Sequence, residues 1–276
     1  MTRSLLTSTA LLAALVACDG EAPPTEPADP PAPTVAPTPL SADDLKGAQA
    51  VALVPSPVEM HRALQRAGVA KGLADRVPSR TMAMDVDDRD RVAVRTGVVM
   101  ADLMLTAGNA ETSAISAHIK TIRAGVATLG ARPDTLAALD DLDARVSNDA
   151  ISRDDLIKEL DEMAGSRLPE IEDQLGERAL PLIRAGSWVE GANLVSGALL
   201  DKGDFTHSTA LLKHPAVVEY FQGYVKTEGR EIVDGDVLVQ LETSLATLDE
   251  VCAKDVLAED DVKAIHQATT AVLELL

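Results

Sequence analysis

This chain of 276 residues has few aromatic side chains, only two cysteines and little positive charge. Aromatic residues make up 2% of it, so a hydrophobic core must be built from leucine, valine, alanine, isoleucine and methionine. Lys and Arg number 25 against 44 Asp and Glu, a net charge of -19. This excess of acid argues against binding to nucleic acid, which requires clustered positive charge, and against adhesion to anionic lipid through a basic surface. Apolar residues nevertheless reach 46%, which is enough to bury a core.

The sequence also lacks the patterns that accompany most enzyme chemistry. It contains no glycine-rich phosphate loop, no nucleophile elbow and no Cys-x-x-Cys pair. The acidic run 85–90 has neither the turn glycine nor the closing glutamate of a calcium loop, so we interpret it as the beginning of a helix. The five histidines are too scattered to predict a metal site: His61, His118, His207, His214 and His266. We therefore expect no metal and no cofactor, and we favour a non-enzymatic function.

The amino terminus carries the most specific pattern in the chain. Arg3 precedes an apolar run, Leu5–Ala17, which has the length of a signal peptide and is too short to span a bilayer. The run leads into Leu-Val-Ala-Cys, ending at Cys18, which resembles the lipobox of bacterial lipoproteins. This resemblance implies that residues 1–18 form a lipoprotein signal peptide and that lipid on Cys18 anchors the protein in the cell envelope. The alternative is an ordinary secretory signal that is cleaved near Ala17.

A tether and one folded domain follow the signal. Residues 19–41 are rich in proline, with eight prolines and no Lys or Arg between residues 19 and 40. Proline removes backbone donors and favours the extended polyproline II conformation, so we interpret this segment as a semi-rigid tether. It would hold the folded domain, residues 42–276, away from the membrane on the periplasmic or exterior side. The pattern does not distinguish the inner from the outer membrane.

The spacing of apolar residues in 42–276 predicts an all-α bundle of about eight to ten helices. Ser56–Glu59 has the form of a capping box and predicts a helix that stops at Gly68. The segments 92–107 and 179–200 are apolar on nearly every side, and we expect them to be two central, buried helices. Pro181 is expected to interrupt or kink the second. An Arg-small-Gly pattern recurs, and we interpret its glycines as sites of close helix contact: Gly68, Gly97, Gly125 and Gly186.

Two acids stand out within the apolar segments. Asp102 is the only acid in 92–107, and Glu190 is the only acid in 179–200, where it lies close to Trp188. A buried carboxylate must pair with a cation, accept hydrogen bonds or take up a proton. The two acids are therefore either part of an internal ion pair that ties the central helices together or a polar patch in a ligand-recognising cavity. We expect their partners among three arginines: Arg95, Arg123 and Arg184.

Three blocks of the chain carry a resemblance to a known family. Pro55–Glu59, Gly97–Leu103 and Gly186–Gly191 are similar, in this order, to the PSP-L-E, G-V-x-x-ADL and GGW-x-EG motifs of an uncharacterised family of bacterial envelope lipoproteins. This chain departs from the family in having Ser187 for the second glycine and Met104–Leu105 where an aromatic residue usually follows. The resemblance implies a helical, exported, lipid-anchored protein, and it brings no assigned activity.

Three functions fit these observations. We favour a non-enzymatic envelope protein whose helical domain binds a small apolar ligand or a protein partner, because polar spots occur within otherwise apolar helices. The second is a structural or assembly scaffold of an envelope complex. The third is a hydrolase that uses Asp102 and Glu190 as acid and base, which requires that the two carboxylates face one another beside a cleft.

Overall fold

The computed structural model describes residues 57–78, 80–163, 174–175, 179–227 and 235–276. All of them belong to one structural unit, Ser41–Leu276. The predicted signal peptide, Cys18 and the proline-rich tether lie outside the described residues, as does Ser56 of the expected capping box.

The described residues are helical and contain no strand, which confirms the predicted all-α class. Ten α-helices of five residues or more pack against each other, and a four-residue helical segment, α2, accompanies them. In chain order they are α1 (Pro57–Ala67), α2 (Leu73–Arg76), α3 (Arg89–Thr106), α4 (Thr112–Thr128), α5 (Pro133–Ser147), α6 (Arg153–Glu162), α7 (Ala179–Lys202), α8 (Ser208–Leu212), α9 (Pro215–Thr227), α10 (Gly235–Cys252) and α11 (Glu259–Leu273).

Local side-chain chemistry sets several helix boundaries. Gly68 has a φ of +68°, in the left-handed region that favours glycine, and α1 ends just before it. The Asp88 carboxylate accepts a hydrogen bond of 2.9 Å from the backbone N–H of Arg91, so the acidic run begins α3 as expected. Ser152 caps α6 in the same way, accepting from the N–H of Asp155 at 3.1 Å.

The prediction that Pro181 interrupts its helix is wrong. The helix α7 is continuous from Ala179, and Pro181 lies in its first turn. The backbone N–H groups of a first turn have no partner within the helix, so a proline there removes no hydrogen bond.

The helices α3 and α7 are central, as expected from their apolar composition, and they make the most extensive helix–helix contact. A first apolar cluster surrounds α7 and includes Trp188 and Phe221 together with residues of α9, α10 and α11. A second cluster lies on α3 and includes Ile119 of α4, Leu142 of α5 and Leu156 of α6. The two central helices therefore lie between these two apolar clusters.

Glycine lets the two central helices meet backbone to backbone. A Cβ added to Gly97 would lie 1.8 Å from the backbone oxygen of Ile183, and one added to Gly186 would lie 2.0 Å from that of Val94. A Cβ on Gly125 would likewise lie 2.1 Å from the Thr96 hydroxyl, between α4 and α3. The interpretation as contact glycines is therefore confirmed at these three positions. At Gly68, the left-handed backbone conformation favours glycine, and close helix contact is not the reason.

Candidate functional site

A buried ion cluster joins the two central helices. It consists of Arg80, Asp102 and Glu190, and it is called the ion cluster below. The Nη2 atom of Arg80 lies 2.7 Å from Oε1 of Glu190 and 3.2 Å from Oδ2 of Asp102. The Asp102 and Glu190 side chains are 3% and 0% exposed, and that of Arg80 is 22% exposed. The structure thus brings both singled-out acids to one cation.

The close helix crossing explains why the two acids meet. Val98 lies at the crossing, where its backbone nitrogen is 3.1 Å from a Cβ added to Gly186. Asp102 follows Val98 by four residues and Glu190 follows Gly186 by four, and residues four apart share one face of a helix. Residues that contact each other occur in the same order along α3 and α7, from the amino to the carboxyl end, so the two helices run parallel. Both carboxylates consequently arrive one turn beyond the crossing, side by side.

The arginine of the ion cluster differs from those that the sequence led us to expect. Arg80 lies in the irregular segment between α2 and α3, where no helical spacing singles it out. Arg95 instead donates from Nε to the backbone oxygen of Leu276 at 2.9 Å and from Nη1 to that of Ala83 at 2.8 Å. Arg123 pairs with Asp140 on the surface. The expectation of Arg95 or Arg123 as the partner is therefore wrong.

The remaining predicted site residues lie on α7. Arg184 is half-buried there, six positions before Glu190. Trp188 is buried in the apolar cluster around α7, with its ring centroid 6.3 Å from that of Phe221. Its indole N–H has no hydrogen-bond partner among the described residues. Trp188 therefore contributes to apolar packing on α7, although it stands only two positions from Glu190.

The electrostatics of the ion cluster favour one bound proton. The pKa of Asp102 is raised from 3.8 to about 8, mainly by burial and then by the nearby Glu190 carboxylate, against the opposing charge of Arg80. Burial also acts to lower the pKa of Arg80, but the two acids outweigh it and the pKa is raised. One arginine, one carboxylate and one protonated carboxyl carry no net charge, which is the arrangement that low-dielectric surroundings favour.

Hydrogen bonding at Glu190 leads to the same assignment. Neither of its carboxylate oxygens has a well-aligned donor among the described residues, although Arg80 is in ion-pair contact. A buried acceptor without a donor is costly. A proton on Asp102 supplies an O–H donor beside the Glu190 carboxylate, since both acids contact the same Nη2 atom of Arg80. The ion cluster therefore combines a carboxyl group of raised pKa, that of Asp102, with the Glu190 carboxyl group and one guanidinium.

His118 on α4 lies within the electric field of this cluster. Burial lowers its pKa, and the positive charge of Arg80 lowers it further, so the imidazole is favoured in its neutral form. Its Nδ1 atom is buried without a hydrogen-bond partner among the described residues. Sequence reasoning classed His118 only as a scattered histidine, because its nearness to Arg80 depends on the packing of α4.

A pocket of about 260 Å³ opens on the other side of α3, between α3, α4, α5 and α6. Its interior is aliphatic and contains three methionines: Met100, Leu103, Met104, Ile122, Val126, Ala138, Leu139, Leu142, Leu160 and Met163. Its polar lining comes from Arg132, Asp134, Thr135 and Gln174, and the first two of these are exposed. We call these four residues the rim. A cavity of about 150 Å³ with similar walls is large enough to take up benzene, so this pocket has room for a small apolar molecule.

The pocket and the ion cluster are separate. Asp102 and Glu190 do not line the pocket, and neither do the other residues that the sequence singled out: Trp188, Arg95 and Arg184. Met100, Leu103 and Met104 line it from α3, whereas Asp102 points toward α7. Sequence reasoning missed the pocket because its lining combines ordinary core residues of four helices. The one signal in the sequence was the concentration of methionine around 100–104.

The described residues offer little for metal chemistry or membrane spanning. No three His, Cys, Asp or Glu side chains gather as metal ligands in the described ranges. None of the helices in those ranges is long and apolar enough to cross a membrane. Cys252 is buried as a free thiol, and this burial raises its pKa.

Comparison of this chain with protein-family models, with curated proteins and with solved structures finds no match.

Proposed function

We propose that this protein is a lipid-anchored protein of the bacterial envelope whose helical domain binds a small apolar ligand. The observation that carries the ligand-binding part is the pocket of about 260 Å³ with aliphatic walls. Core packing in proteins leaves few voids larger than a water molecule, so an opening of this size within one apolar cluster calls for an occupant. Support for the anchor comes from the apolar run Leu5–Ala17 and from Cys18 directly after it.

The ion cluster serves the structure in this proposal. Asp102 and Glu190 are almost fully buried, and the pocket does not extend to them. The acid and base of a glycosidase flank a site that is open to a sugar, whereas both carboxyl groups here are buried against the same Nη2 atom of Arg80. The cluster therefore ties α3 to α7 and to the segment that carries Arg80.

Native mass spectrometry with a blocked pocket tests the ligand-binding proposal. The full chain carrying Cys18→Ser is purified after export, so that no lipid of its own and no detergent competes for the pocket. We expect a reproducible extra mass that disappears with Ala138→Phe, because Ala138 lines the pocket. The matched control is Ala137→Phe, since the neighbouring residue is exposed and outside the lining. A bare protein mass, or an extra mass that survives Ala138→Phe, contradicts the proposal.

Metabolic labelling with a palmitate analogue tests the anchor. We expect label on the wild-type protein and none on Cys18→Ser. Cys252→Ser is the control and should stay labelled, because Cys252 is buried and is the only other cysteine of the chain. Label that persists in Cys18→Ser contradicts lipidation at this residue. A wild-type protein without label contradicts the anchor and favours the ordinary secretory signal.

The scaffold and the hydrolase are the competing proposals. A scaffold predicts one reproducible partner when intact cells are crosslinked, and it predicts that Ala138→Phe leaves this partner in place. A hydrolase predicts that Asp102→Asn abolishes an activity without changing the free energy of unfolding.

A further inference from the structure

The chemistry of the pocket indicates what kind of apolar molecule it accepts, and this inference rests on the proposed function. The volume of about 260 Å³ lies just below the 300 Å³ or so at which pockets for drug-sized ligands begin. The occupant is therefore small, the size of a short hydrocarbon chain rather than a whole phospholipid. Three methionines in the wall, Met100, Met104 and Met163, have flexible, unbranched side chains that adapt to such a chain.

The rim decides which head group such a chain can carry. Among the described residues that line the pocket, Arg132 is the only cation, and its Nε atom lies 3.8 Å from Oδ1 of Asp134. The rim also lies at the beginning of α5, where the helix dipole attracts negative charge. Asp134 occupies the first turn of α5 and so offsets both the helix dipole and Arg132. No net positive charge is left at the rim for an anionic ligand.

The surroundings of the rim add to this effect. The protein as a whole has a net charge of -19, which repels anions at long range. A cation gains nothing at the rim itself, because the charges of Arg132 and Asp134 balance there. A hydroxyl or amide group, in contrast, meets a neutral rim with the Thr135 hydroxyl and the Gln174 amide.

We propose that the pocket binds an uncharged amphiphile with a short aliphatic chain, of the alcohol, ester or amide class, in preference to a fatty-acid anion or an alkylammonium ion. The hydrocarbon chain enters between α3, α4 and α5, and the polar group remains at the rim. The charge balance between Arg132 and Asp134 sets this preference.

Methionine methyl resonances measure the binding in place. The full chain carrying Cys18→Ser is labelled with [methyl-13C]methionine and titrated with three eight-carbon probes: 1-octanol, octanoate and octylammonium. Met100, Met104 and Met163 line the pocket, whereas Met60 packs in the other apolar cluster and serves as an internal control. We expect 1-octanol to shift the three pocket methyls with an apparent Kd about tenfold below those of both ions, because a charged head group finds no unbalanced opposite charge at the rim and loses part of its hydration there.

A charge variant then tests the reason for the preference. Asp134→Asn leaves Arg132 unbalanced, so the affinity for octanoate relative to that for 1-octanol should rise about two- to fivefold. The matched control is Asp154→Asn, which removes an exposed aspartate from the first turn of α6, outside the pocket lining. This control should alter neither Kd. An unshifted Met60 signal shows that each variant is folded.

The outcomes separate the two proposals. If none of the probes shifts the pocket methyls, the proposed function fails. If 1-octanol binds but octanoate or octylammonium binds equally well or better, the ligand-binding function stands and the preference for an uncharged head group is overturned. If Asp134→Asn leaves the affinity for octanoate relative to that for 1-octanol unchanged, the rim charges do not set the preference and the inference fails as well.

Discussion

The two sides of α3 are packed in opposite ways. Toward α7 the helix backbones touch at Gly97 and Gly186, and buried charges join the helices one turn farther on. Toward α4, α5 and α6 the contacts run through long aliphatic side chains and leave a pocket of about 260 Å³. A helix held tightly on one face can support an incompletely filled space on the other. We therefore assign rigidity to the α7 side and propose ligand binding on the pocket side.

The largest expected effect comes from a single methyl group on the α7 side. Gly97→Ala places a Cβ 1.8 Å from the backbone oxygen of Ile183, so the two central helices must separate. We expect a loss of at least about 4 kcal/mol in the free energy of unfolding, measured in urea. The control is Gly191→Ala, where an added Cβ meets only Cδ1 of Leu105 at an ordinary 3.8 Å. Similar stabilities for the two variants would refute the backbone contact.

Removal of the cation from the ion cluster should have the next largest effect. Arg80→Met leaves two buried carboxyl groups without their positive partner, which should cost about 3–5 kcal/mol in the free energy of unfolding. The exposed pair of Arg91 and Asp88, 3.9 Å apart, provides the comparison. Arg91→Met should cost less than about 1 kcal/mol. An equally small loss for Arg80→Met would mean that the ion cluster does not hold the helices together.

The raised pKa of Asp102 makes the α7 side sensitive to pH. The folded-state pKa of Asp102 is raised above its ordinary value, so the folded protein binds an extra proton between about pH 4 and pH 8. The stability that this proton contributes is complete below pH 4 and is lost as the pH rises through that window, by up to about 1.4 kcal/mol per pH unit. Asp102→Asn should therefore flatten the dependence of the unfolding free energy on pH.

Asp204, whose pKa is lowered and not raised, provides the control for this measurement. Hydrogen bonds from Thr206 and Lys202 lower the pKa of exposed Asp204 to about 2, so it titrates below the window. Asp204→Asn should leave the slope between pH 5 and pH 8 as it is in the wild type. Parallel profiles for wild type and Asp102→Asn would mean that Asp102 is ionised in the folded protein.

The smallest effect is expected on the pocket side. Ala138→Phe adds a whole ring where Gly97→Ala adds one methyl group, yet it enters existing space. We expect the free energy of unfolding to change by less than about 1 kcal/mol, in the range of tolerated substitutions. Thermal unfolding beside Ala137→Phe measures this difference. A large loss of stability would show that the pocket walls cannot accommodate a guest.

Helix positions were largely predictable because their causes are local. Each of the following helix ends is set by a residue within one turn of it. The acidic run caps the beginning of α3, Ser152 caps the beginning of α6, and Gly68 follows the end of α1. The failure at Pro181 has a local cause too, since proline is harmful in the interior of a helix and harmless in its first turn. The apolar composition of the two central segments was sufficient to predict their burial.

The candidate site was predictable only in part. A lone acid in an apolar helix identified Asp102 and Glu190 as residues that need a partner, because the cost of burying a charge depends on residue type and not on the fold. The spacing of residues in the sequence could not show which arginine pairs with the two acids. Arg80, which lies in an irregular segment, was missed for that reason.

The sequence by itself determined the helical class, the end of α1 at Gly68, the beginning of α3 after the acidic run, the two buried helices and the need of two buried acids for a partner. Each of these follows from local properties of the chain: the capping of helix ends, the burial of apolar segments and the cost of burying a charge. Only the tertiary structure decided that Gly97 faces Ile183, that Arg80 reaches both acids and that four helices leave a pocket. These features depend on contacts between residues far apart in the chain, which the pattern of one sequence does not specify.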